Sequence, residues 1–600
     1  SSSKSNNFHK KQKVDKSKKD NNNNNNNNQK DLSNSALKRQ ARKERQAQRR
    51  HADTVSEAKT LWNKIRVKTN TPDETKELME RIMTLIRGKV NEIALQHDAS
   101  RVVQAAVQFG TDEQRQELLK EICVSEDSLI ELSKIQYAHF CCLKFIKYCS
   151  RIPDCVKLIV KSFKGSIPKL AVHSVGARVV ESLFLNFPPS ATIKLKQEFY
   201  GPHYNLFAAD LEGVPTLKSV VESAKTDTQK ESALKFVKDI VNKGITKSFF
   251  GYKYFQDILA EYLDVAEPNE IRSTIASSLV DHSIHLLSTR AGSKVVAKCA
   301  SYATPKDRKR ICKSLKGYTR SSLLHRDAYI AILRLVQVTD DTVSIHKSIL
   351  NELLTAATSS DENEQQSAPS PLLDLALSET ASKLFILLLL EDDEKRNKYF
   401  DPYEQSILCV ESFVTENGKK VPTSKKDPAV RRKELLQHMT KELNNLCITH
   451  SYGLLRSLPG ARVVKEVYEN NKNAELVESL VKNCEASLEG NDKSDDDDDE
   501  GESFTLFEDP VGHRAVKNIF LCDASSEEPA FSKAFVDRLG DRLMDVAKSN
   551  RGAYVVAALL KVPTVKKQVQ KQLNKKELKK LSSGKGVTSG FKALLTEMAQ

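Results

Sequence analysis

Pairs of apolar residues flanked by polar ones recur along this chain at helical spacing. In the stretch Ser100-Arg101-Val102-Val103-Gln104, the two valines lie on one face of a predicted helix, while Ser100 and Gln104 share the opposite face with Arg101 beside them. Similar stretches, each preceded by glycine where the first has alanine, lie at residues 177–181, 293–297, 461–465, 513–517 and 553–557. A small residue at that point predicts close approach between neighbouring helical units.

The stretches recur at a nearly constant step, which is typical of stacked helical repeats. When each unit is anchored on the first residue of its stretch, the first seven units follow at steps of 36 to 41 residues. Their anchors are Ser100, His139, Ala177, Val214, Tyr252, Ser293 and Tyr329. Longer steps then lead to Ser382, Ala461, His513 and Ala553. Because almost no stretch alternates as a strand would, the pattern predicts an all-α solenoid of about eleven repeats.

Polar insertions interrupt the spacing, and those at 358–371 and 485–502 are predicted to be disordered loops. Residues 358–371 are rich in Ser, Asp, Glu, Gln and Pro, residues 417–432 are charged and contain two prolines, and residues 485–502 hold ten acidic residues and one lysine. The first 50 residues hold 15 Lys or Arg against four Asp or Glu, together with a run of eight asparagines. Such a composition predicts a disordered basic tail, placed at 1–55.

The charge of the chain favours a polyanionic partner, with nucleic acid first. There are 94 Lys or Arg and 79 Asp or Glu, which gives a formal net charge of +15. The lysine-rich clusters of the tail are typical of nuclear or nucleolar import signals, and a solubilising role is the alternative.

Neither a catalytic site nor a metal site is predicted. The eleven cysteines lie scattered on apolar helical stretches without a C-x-x-C pair, and no Ser/His/Asp grouping or Gly-rich phosphate loop occurs. The acidic run at 495–500 lacks the ligand spacing of an EF-hand, and the longest apolar run, 384–390, is too short to cross a bilayer. We therefore expect no enzyme activity, no cofactor and no membrane association.

The repeat resembles the Pumilio (PUF) repeat in its length of about 36 to 40 residues and in its motif of a small residue, a basic or aromatic residue and two valines. The resemblance covers about residues 80–590. In that family the first and fifth residues of the stretch meet the edge of an RNA base, and the second stacks between bases. Ser100, Arg101 and Gln104 match an adenine-reading repeat, and no other repeat matches fully.

The remaining repeats keep only parts of this pattern. Phe140 and Tyr554 are expected to stack on bases, and Glu181 to accept from a guanine edge. Cations at the second position are expected to meet phosphate, although they could instead bridge neighbouring repeats by pairing with acids. The candidate RNA-binding residues are Ser100, Arg101, Gln104, His139, Phe140, Arg178, Glu181, Lys218, Lys253, Gln256, Lys294, Arg462, Lys465, His513, Arg514, Lys517 and Tyr554.

An incomplete set of base-reading residues predicts weak sequence preference. A good bidentate base contact is worth roughly 1–3 kcal/mol of discrimination, and most repeats here lack the side chains to make one. Binding is therefore expected to depend mainly on cations and phosphates.

The layout of a basic tail, about eleven degenerate repeats and a divergent CPL-like C-terminal region is similar to the nucleolar Puf-A (Penguin-like) branch of the family. The resemblance implies two repeat arrays in an L shape and binding to structured RNA or double-stranded DNA with little sequence choice. It also implies a nucleolar monomer that acts on precursor ribosomal RNA, together with pre-ribosomal proteins, in assembly of the large (60S) subunit. The expected division is the tail at 1–55, an array at 56–350 and divergent repeats at 351–600.

Two other functions stay open at this point. A repressor that binds specific sequences in mRNA 3′ untranslated regions is supported by the complete triplet at Ser100, Arg101 and Gln104. A HEAT-like scaffold for proteins is compatible with the repeat length. Charge reversal at the second-position arginines Arg101, Arg178, Arg462 and Arg514 would separate these cases, because only RNA binding depends on them.

Overall fold

The structure is a computed structural model that describes residues 50–202, 204, 215–355, 370–391, 393–489, 505–573, 578 and 588–599. The predicted tail up to residue 49, the anchor Val214, and the predicted loops at 358–369 and 490–502 lie outside the described residues. The chain forms two compact units, of which one ends at Gln114 and the other begins at Arg115.

Eleven helices of the described chain carry the recurring stretch, and we call them the register helices α1 to α11. Each begins within three residues of its predicted anchor, so the predicted number and positions of the repeats are confirmed. Their bounds are Ser100–Phe109 (α1), His139–Tyr148 (α2), Gly176–Asn186 (α3), Leu217–Ser223 (α4), Lys253–Val265 (α5), Arg290–Tyr302 (α6), Tyr329–Val338 (α7), Ser382–Leu389 (α8), Leu458–Asn470 (α9), Gly512–Ala524 (α10) and Asn550–Leu559 (α11).

The first unit buries one face of α1 against two longer helices. Ala52–Ile65 and Pro72–Ile86 pack against each other and against α1, and the short helix Val90–Ala94 precedes it. Val102 and Val103 of α1 are fully buried, as the apolar pattern predicts. The helix at Ala52 starts inside the segment that was expected to be tail.

The second unit is a ladder in which the register helices pack side by side. In this unit α2 contacts α3, α3 contacts α5, and from α5 to α11 each register helix contacts the next. A last helix, Ser589–Ala599 (α12), packs on α11. The short helix α4 contacts α5 and the long helix Asp227–Thr246. This stacking confirms the predicted all-α solenoid, since each helix buries its apolar face against its neighbours.

Further helices connect the rungs of the ladder, and several begin with proline in the first turn, where its missing N–H costs nothing. The boundary between the two units falls inside the first of these helices. The α-helices are Asp112–Ile122, Ser128–Lys134, Pro153–Phe163, Ile167–Ala171, Pro189–Gln197, Asp227–Thr246, Pro268–Glu270, Ser277–Leu279, Ser283–Leu286, Pro305–Leu315, Thr319–Leu324, Thr342–Ile345, Asn351–Leu354, Leu373–Leu377, Asp393–Arg396, Pro402–Leu408, Pro428–Gln437, Thr440–Thr449, Ser451–Arg456, Ala474–Leu488, Ala530–Leu539, Leu543–Ala547 and Lys566–Gln572. Single turns of 3₁₀-helix lie at Glu198–Tyr200, Phe249–Gly251, Val280–His282 and Gly540–Arg542, and π-helical turns at Ile271–Ala276 and His346–Leu350.

The segment 417–432, the charged insertion with two prolines, is structured. Strands Phe413–Glu416 (β1) and Lys419–Pro422 (β2) pair antiparallel as a hairpin, with Phe413 opposite Pro422. The helix Pro428–Gln437 follows, and Asp427 accepts hydrogen bonds from its first amides. The helix before the acidic run likewise extends to Leu488, past the predicted loop boundary at 485.

The glycine before the stretch allows close approach mainly within its own repeat. A Cβ on Gly552 would lie 1.8 Å from the carbonyl oxygen of Val546, and one on Gly292 would lie 1.9 Å from that of Leu286. Gly176, Gly460 and Gly512 also meet the residue six positions earlier. The predicted approach between neighbouring units is seen at Gly292, where a Cβ would also lie 2.8 Å from Oε1 of Gln256 in α5.

All eleven cysteines are free thiols, and most are buried. Among the described residues no group of three or more His, Cys, Asp or Glu is placed to hold a metal ion. No helix in the described ranges combines the length and the apolar character that a membrane crossing requires.

Candidate nucleic-acid interface

Of the triplet Ser100, Arg101 and Gln104 on α1, only the last two side chains are accessible to a ligand. Ser100 is buried at 1% exposure, and its hydroxyl lies 3.3 Å from the carbonyl oxygen of His97. Arg101 is exposed and Gln104 is half-buried. The structure therefore offers a cation and an amide at this repeat, while the predicted serine contact to a base edge is contradicted by its burial.

Two further second-position arginines reach solvent in the same way. Arg178 of α3 and Arg514 of α10 are exposed, and within the described part of the chain neither they nor Arg101 form an ion pair within 4.0 Å. A guanidinium without a carboxylate partner keeps its five donors available for phosphate or for the face of a base.

The other second-position cations are paired with acids. Lys294 of α6 lies 2.6 Å from Asp264 of α5, and Arg462 of α9 lies 2.7 Å from Glu379, which precedes α8. These two pairs bridge neighbouring repeats, which is the alternative that the sequence left open. Lys253 pairs with Asp257 at 2.8 Å within its own helix. Lys218, which is the fifth residue of its stretch, pairs with Glu222 at 3.8 Å in the same way.

The two first-position histidines are buried and not on the surface. In each ring Nδ1 bonds the carbonyl of the residue four positions earlier, at 3.3 Å from His139 to Ile135 and at 2.6 Å from His513 to Asp509. Burial lowers the pKa of both imidazoles. Both rings therefore lock the start of their helices, and their burial contradicts the predicted direct role in RNA binding.

The fifth-position polar residues are also used within the protein. Gln256 is fully buried and bonds the carbonyls of Phe250 and His285, which contradicts its assignment as a base reader. Glu181 of α3 accepts from the backbone N–H groups of Lys253 and Tyr254, at 2.9 and 3.1 Å, at the start of α5. Burial raises the pKa of this carboxyl in spite of those bonds.

Lys465 is part of an ion-pair cluster at the fifth position of α9. Its Nζ lies 2.6 Å from Glu466 and 3.0 Å from Glu469. Burial alone would lower the pKa of Lys465, but the hydrogen bond to Glu466 and the neighbouring acidic groups raise it above its ordinary value. The side chain therefore stays charged while it holds these acids in place.

Two aromatic residues remain available at second positions. Phe140 of α2 is 42% exposed, and its ring centroid lies 4.1 Å from that of His139. Tyr554 of α11 is half-buried, with the Nζ of Lys517 5.8 Å from its ring centroid. Exposed rings of this kind can stack on a base of any sequence.

Comparison with known proteins assigns the repeats. A sequence model described as the Pumilio-family RNA binding repeat matches residues 89–123, which include α1, and one described as the CPL (NUC119) domain matches residues 379–530. Two regions of the chain are therefore similar to a Pumilio repeat and to a CPL domain. Human Pumilio homolog 3 is 27% identical over 521 residues, which cover 85% of this chain and 73% of the human protein. Pumilio homology domain family member 6 of Schizosaccharomyces pombe is 28% identical over 404 residues, which cover 67% of this chain and 58% of that protein.

Solved structures agree on the fold of this chain. Human Puf-A superposes with a TM-score of 0.70 at 24% identity, covering 91% of this chain and 99% of that chain. Human Puf-A in complex with DNA gives a TM-score of 0.68 at 22% identity, with the same two coverages. The Pumilio-type solenoid of this chain is therefore the fold of Puf-A.

The region of the chain that matches the CPL model contains a basic cleft of about 610 Å³. Six cations and two buried or half-buried acids line it, so the lining is strongly positive. The cations are Lys395, Lys398, Lys472, Arg462, Lys465 and Arg514, and the acids are Glu466 and Glu469. Sequence reasoning missed the first three because they lie outside the recurring stretch, and their only signal is a local excess of lysine.

Proposed function

We propose that this protein binds RNA mainly through its phosphates, with little sequence preference, and serves as a non-catalytic assembly factor. The proposal rests on which of the first, second and fifth residues of the stretches, which we call the register positions, are exposed and which are bonded within the protein. Among the described residues, Arg101, Arg178 and Arg514 reach solvent without an ion pair. Of the groups that would read base edges, Ser100, Glu181 and Gln256 are buried or bonded within the protein, and Gln104 is half-buried. Support also comes from the match to a Pumilio-family RNA binding repeat and from the Puf-A fold.

Phosphate contacts supply affinity without sequence information. The three exposed arginines are complemented by the basic cleft of the CPL domain and by the basic N-terminal segment. Lys218 adds to them, since its exposed pair with Glu222 is worth little and opens readily to a phosphate. A repressor specific for one short motif would need several intact base-reading triplets, and even Ser100 of the best one is buried.

The experiment is a titration of labelled RNA with the full chain over a range of salt concentrations. The variant R101E/R178E/R514E is compared with R151E/K161E/K313E, which removes three exposed cations outside the register helices and changes the charge equally. We expect the register variant to bind at least about tenfold more weakly, with a salt slope reduced by about 2–3. Equal affinities of the two variants, or tight preference for one short motif, would overturn the proposal.

We further propose that the RNA is precursor ribosomal RNA and that the protein acts in the nucleolus during assembly of the large subunit. This rests on the resemblance to the nucleolar Puf-A branch and on the strongly basic charge. Crosslinking in cells followed by sequencing of bound fragments tests it. Reads on precursor large-subunit RNA without a shared motif are expected, and reads confined to mRNA untranslated regions with a shared motif would favour the repressor.

A further inference from the structure

The register positions of α7 and α8 are buried, in contrast to those of α3 and α10. Among the first, second and fifth positions of these two helices, none is more than 9% exposed. In the same register, Arg178 and Arg514 are open to solvent. The six buried positions are Tyr329, Ile330, Leu333, Ser382, Lys383 and Ile386.

The segment between α8 and α9 covers this face. Its helix Pro402–Leu408, which we call the plug helix, packs against α6 and α7. Glu404 of the plug helix is fully buried, and its Oε1 accepts hydrogen bonds from the hydroxyl of Tyr329 and from the Nζ of Lys383, the latter at 2.5 Å. Lys383 is the second position of α8, so a carboxylate of the chain itself stands where an anionic ligand would meet that cation.

The N-terminal end of the plug helix is closed by its own capping box. Asp401 accepts from the N–H of Glu404 at 2.8 Å, and the N–H of Asp401 donates to the second carboxylate oxygen of Glu404 at 2.7 Å. Both oxygens of Glu404 are thereby used, one for the cap and one for the register face. The plug helix is aligned over Tyr329 and Lys383 by the same side chain that begins it.

Further contacts attach the plug helix to α6 and α7. Arg334 of α7 donates to the carbonyl of Leu408 at 3.0 Å and also to that of Val410. At the other end, the guanidinium of Arg290 lies 3.7 Å from the ring centroid of Tyr403. Because these contacts come from two register helices, α6 and α7, they hold the plug helix in a fixed position on the ladder.

We propose that the plug helix permanently fills the register face of α7 and α8, so that nucleic acid contacts the second unit in two separate stretches, α2–α4 and α9–α11. The inference rests on the proposed RNA binding. Ile330, Leu333 and Ile386 beneath the plug offer no group for a phosphate or a base edge. Opening the plug would also leave Glu404 and Lys383 without partners, which makes displacement by RNA unfavourable.

Because the register face of the second unit is divided into two stretches, it favours RNA that is long or folded enough to reach both. A short single strand reaches only one of the two stretches, whereas a folded or long RNA that presents two separated phosphate segments reaches both. Once the first phosphate segment is bound, binding of the second is intramolecular. The RNA therefore binds the whole chain more tightly than either segment would bind alone.

Hydrogen–deuterium exchange of the full chain with and without a folded RNA tests the proposal. We expect RNA to protect peptides that contain Arg178 and Arg514 and to leave peptides of α7, α8 and residues 402–410 unchanged. Protection within α7 or α8, or faster exchange at 402–410, would overturn the plug. Absence of protection at Arg178 and Arg514 would instead contradict the proposed RNA binding, so the two failures are distinguishable.

A variant separates a permanent plug from a displaceable one. Glu404→Gln removes the buried charge that holds Lys383, and Glu411→Gln removes an exposed charge from the same segment as a control. We expect at least tenfold faster exchange at 402–410 in the first variant, with RNA affinity within twofold of the parent. A fivefold or greater gain in affinity would show that the plug competes with RNA, and would overturn permanence. If Glu404→Gln does not fold, Tyr403→Ala loosens the half-buried end and is judged by the same criteria.

Discussion

Arg308 donates hydrogen bonds to both the carbonyl and the hydroxyl of Thr423, at 3.2 and 3.0 Å, across 115 residues of chain. The guanidinium is 1% exposed and also donates to the carbonyls of Ala300, Ser301 and Val338. Burial lowers the pKa of Arg308 to about 10, so it stays charged at neutral pH. A single side chain therefore joins α6, α7 and the segment that follows the β-hairpin.

Arg308→Lys should lower the free energy of unfolding by about 3 kcal/mol or more. A lysine has three donors and no planar fork, so it leaves several buried carbonyls without a partner. Arg310→Lys is the matched control, because its side chain is 38% exposed and pairs with Asp281 at the surface. That change should cost under about 1 kcal/mol. Urea unfolding of both variants measures the two losses of unfolding free energy. Equal losses would contradict the structural role of Arg308.

Gly552→Ala should destabilise the protein by about 3 kcal/mol. The added Cβ would lie 1.8 Å from the carbonyl oxygen of Val546, so the start of α11 would have to move. Gly453→Ala is the control, since its Cβ would meet nothing within 4 Å inside the helix Ser451–Arg456. The control should be neutral or stabilising by up to about 1 kcal/mol. In thermal unfolding, the midpoint should fall strongly for Gly552→Ala and should stay unchanged or rise slightly for Gly453→Ala.

Glu469 should give the protein a pH-dependent part of its stability. Partial burial would raise the pKa of Glu469, but hydrogen bonds from Lys395 and Lys465 outweigh it and lower the pKa to about 2, from an ordinary 4.5. Because the folded pKa is depressed, the stabilisation is complete above pH 4.5 and is lost as the pH falls towards 2.

Glu469→Gln should therefore cost about 1–2 kcal/mol at pH 7, a figure reduced for the one-third exposure of the side chain, and much less near pH 2. Unfolding free energies of the variant and the parent at several pH values measure this difference. Exposed Glu475→Gln is the control and should show no such trend. A Glu469→Gln cost that does not change with pH would contradict the ion-pair explanation.

Lys294→Met should lower stability and Arg178→Met should weaken RNA binding, although both residues lie at the second register position. Lys294 and Lys298 both lie 2.6 Å from Asp264, so loss of Lys294 weakens the contact between α5 and α6 and lowers stability by about 1 kcal/mol. Arg178 has no such partner, so its loss should weaken RNA binding severalfold and leave the unfolding midpoint unchanged. Parallel melting and RNA titration of both variants would show whether the two effects separate.

The sequence predicts the register helices well because their signals are local. A small residue before the anchor and an apolar pair after it indicate where a register helix begins, as at Ser293 and His513. The function of each register position is less predictable, since it depends on what packs there from elsewhere. Lys294 and Arg178 have the same place in the motif, and only the position of Asp264 makes one structural.

Long-range contacts account for what the sequence pattern misses. Nothing near Lys383 indicates that Glu404 will cover it, and nothing near Arg308 indicates that Thr423 will be its partner. Within the charged segment 417–432, the carbonyl and the hydroxyl of Thr423 accept hydrogen bonds from the buried Arg308, which lies in the helix Pro305–Leu315 far earlier in the chain. Such partners are 21 to 115 residues apart, beyond the range of any local periodicity.

The carboxylate of Glu181 accepts from the first amides of α5 and so joins α3 directly to α5, although α4 lies between them in the sequence. The short helix α4 also packs on α5. The order of contacts along the ladder therefore differs from the order of the helices in the chain at this point. A change that displaces α4 would leave the direct contact between α3 and α5 in place.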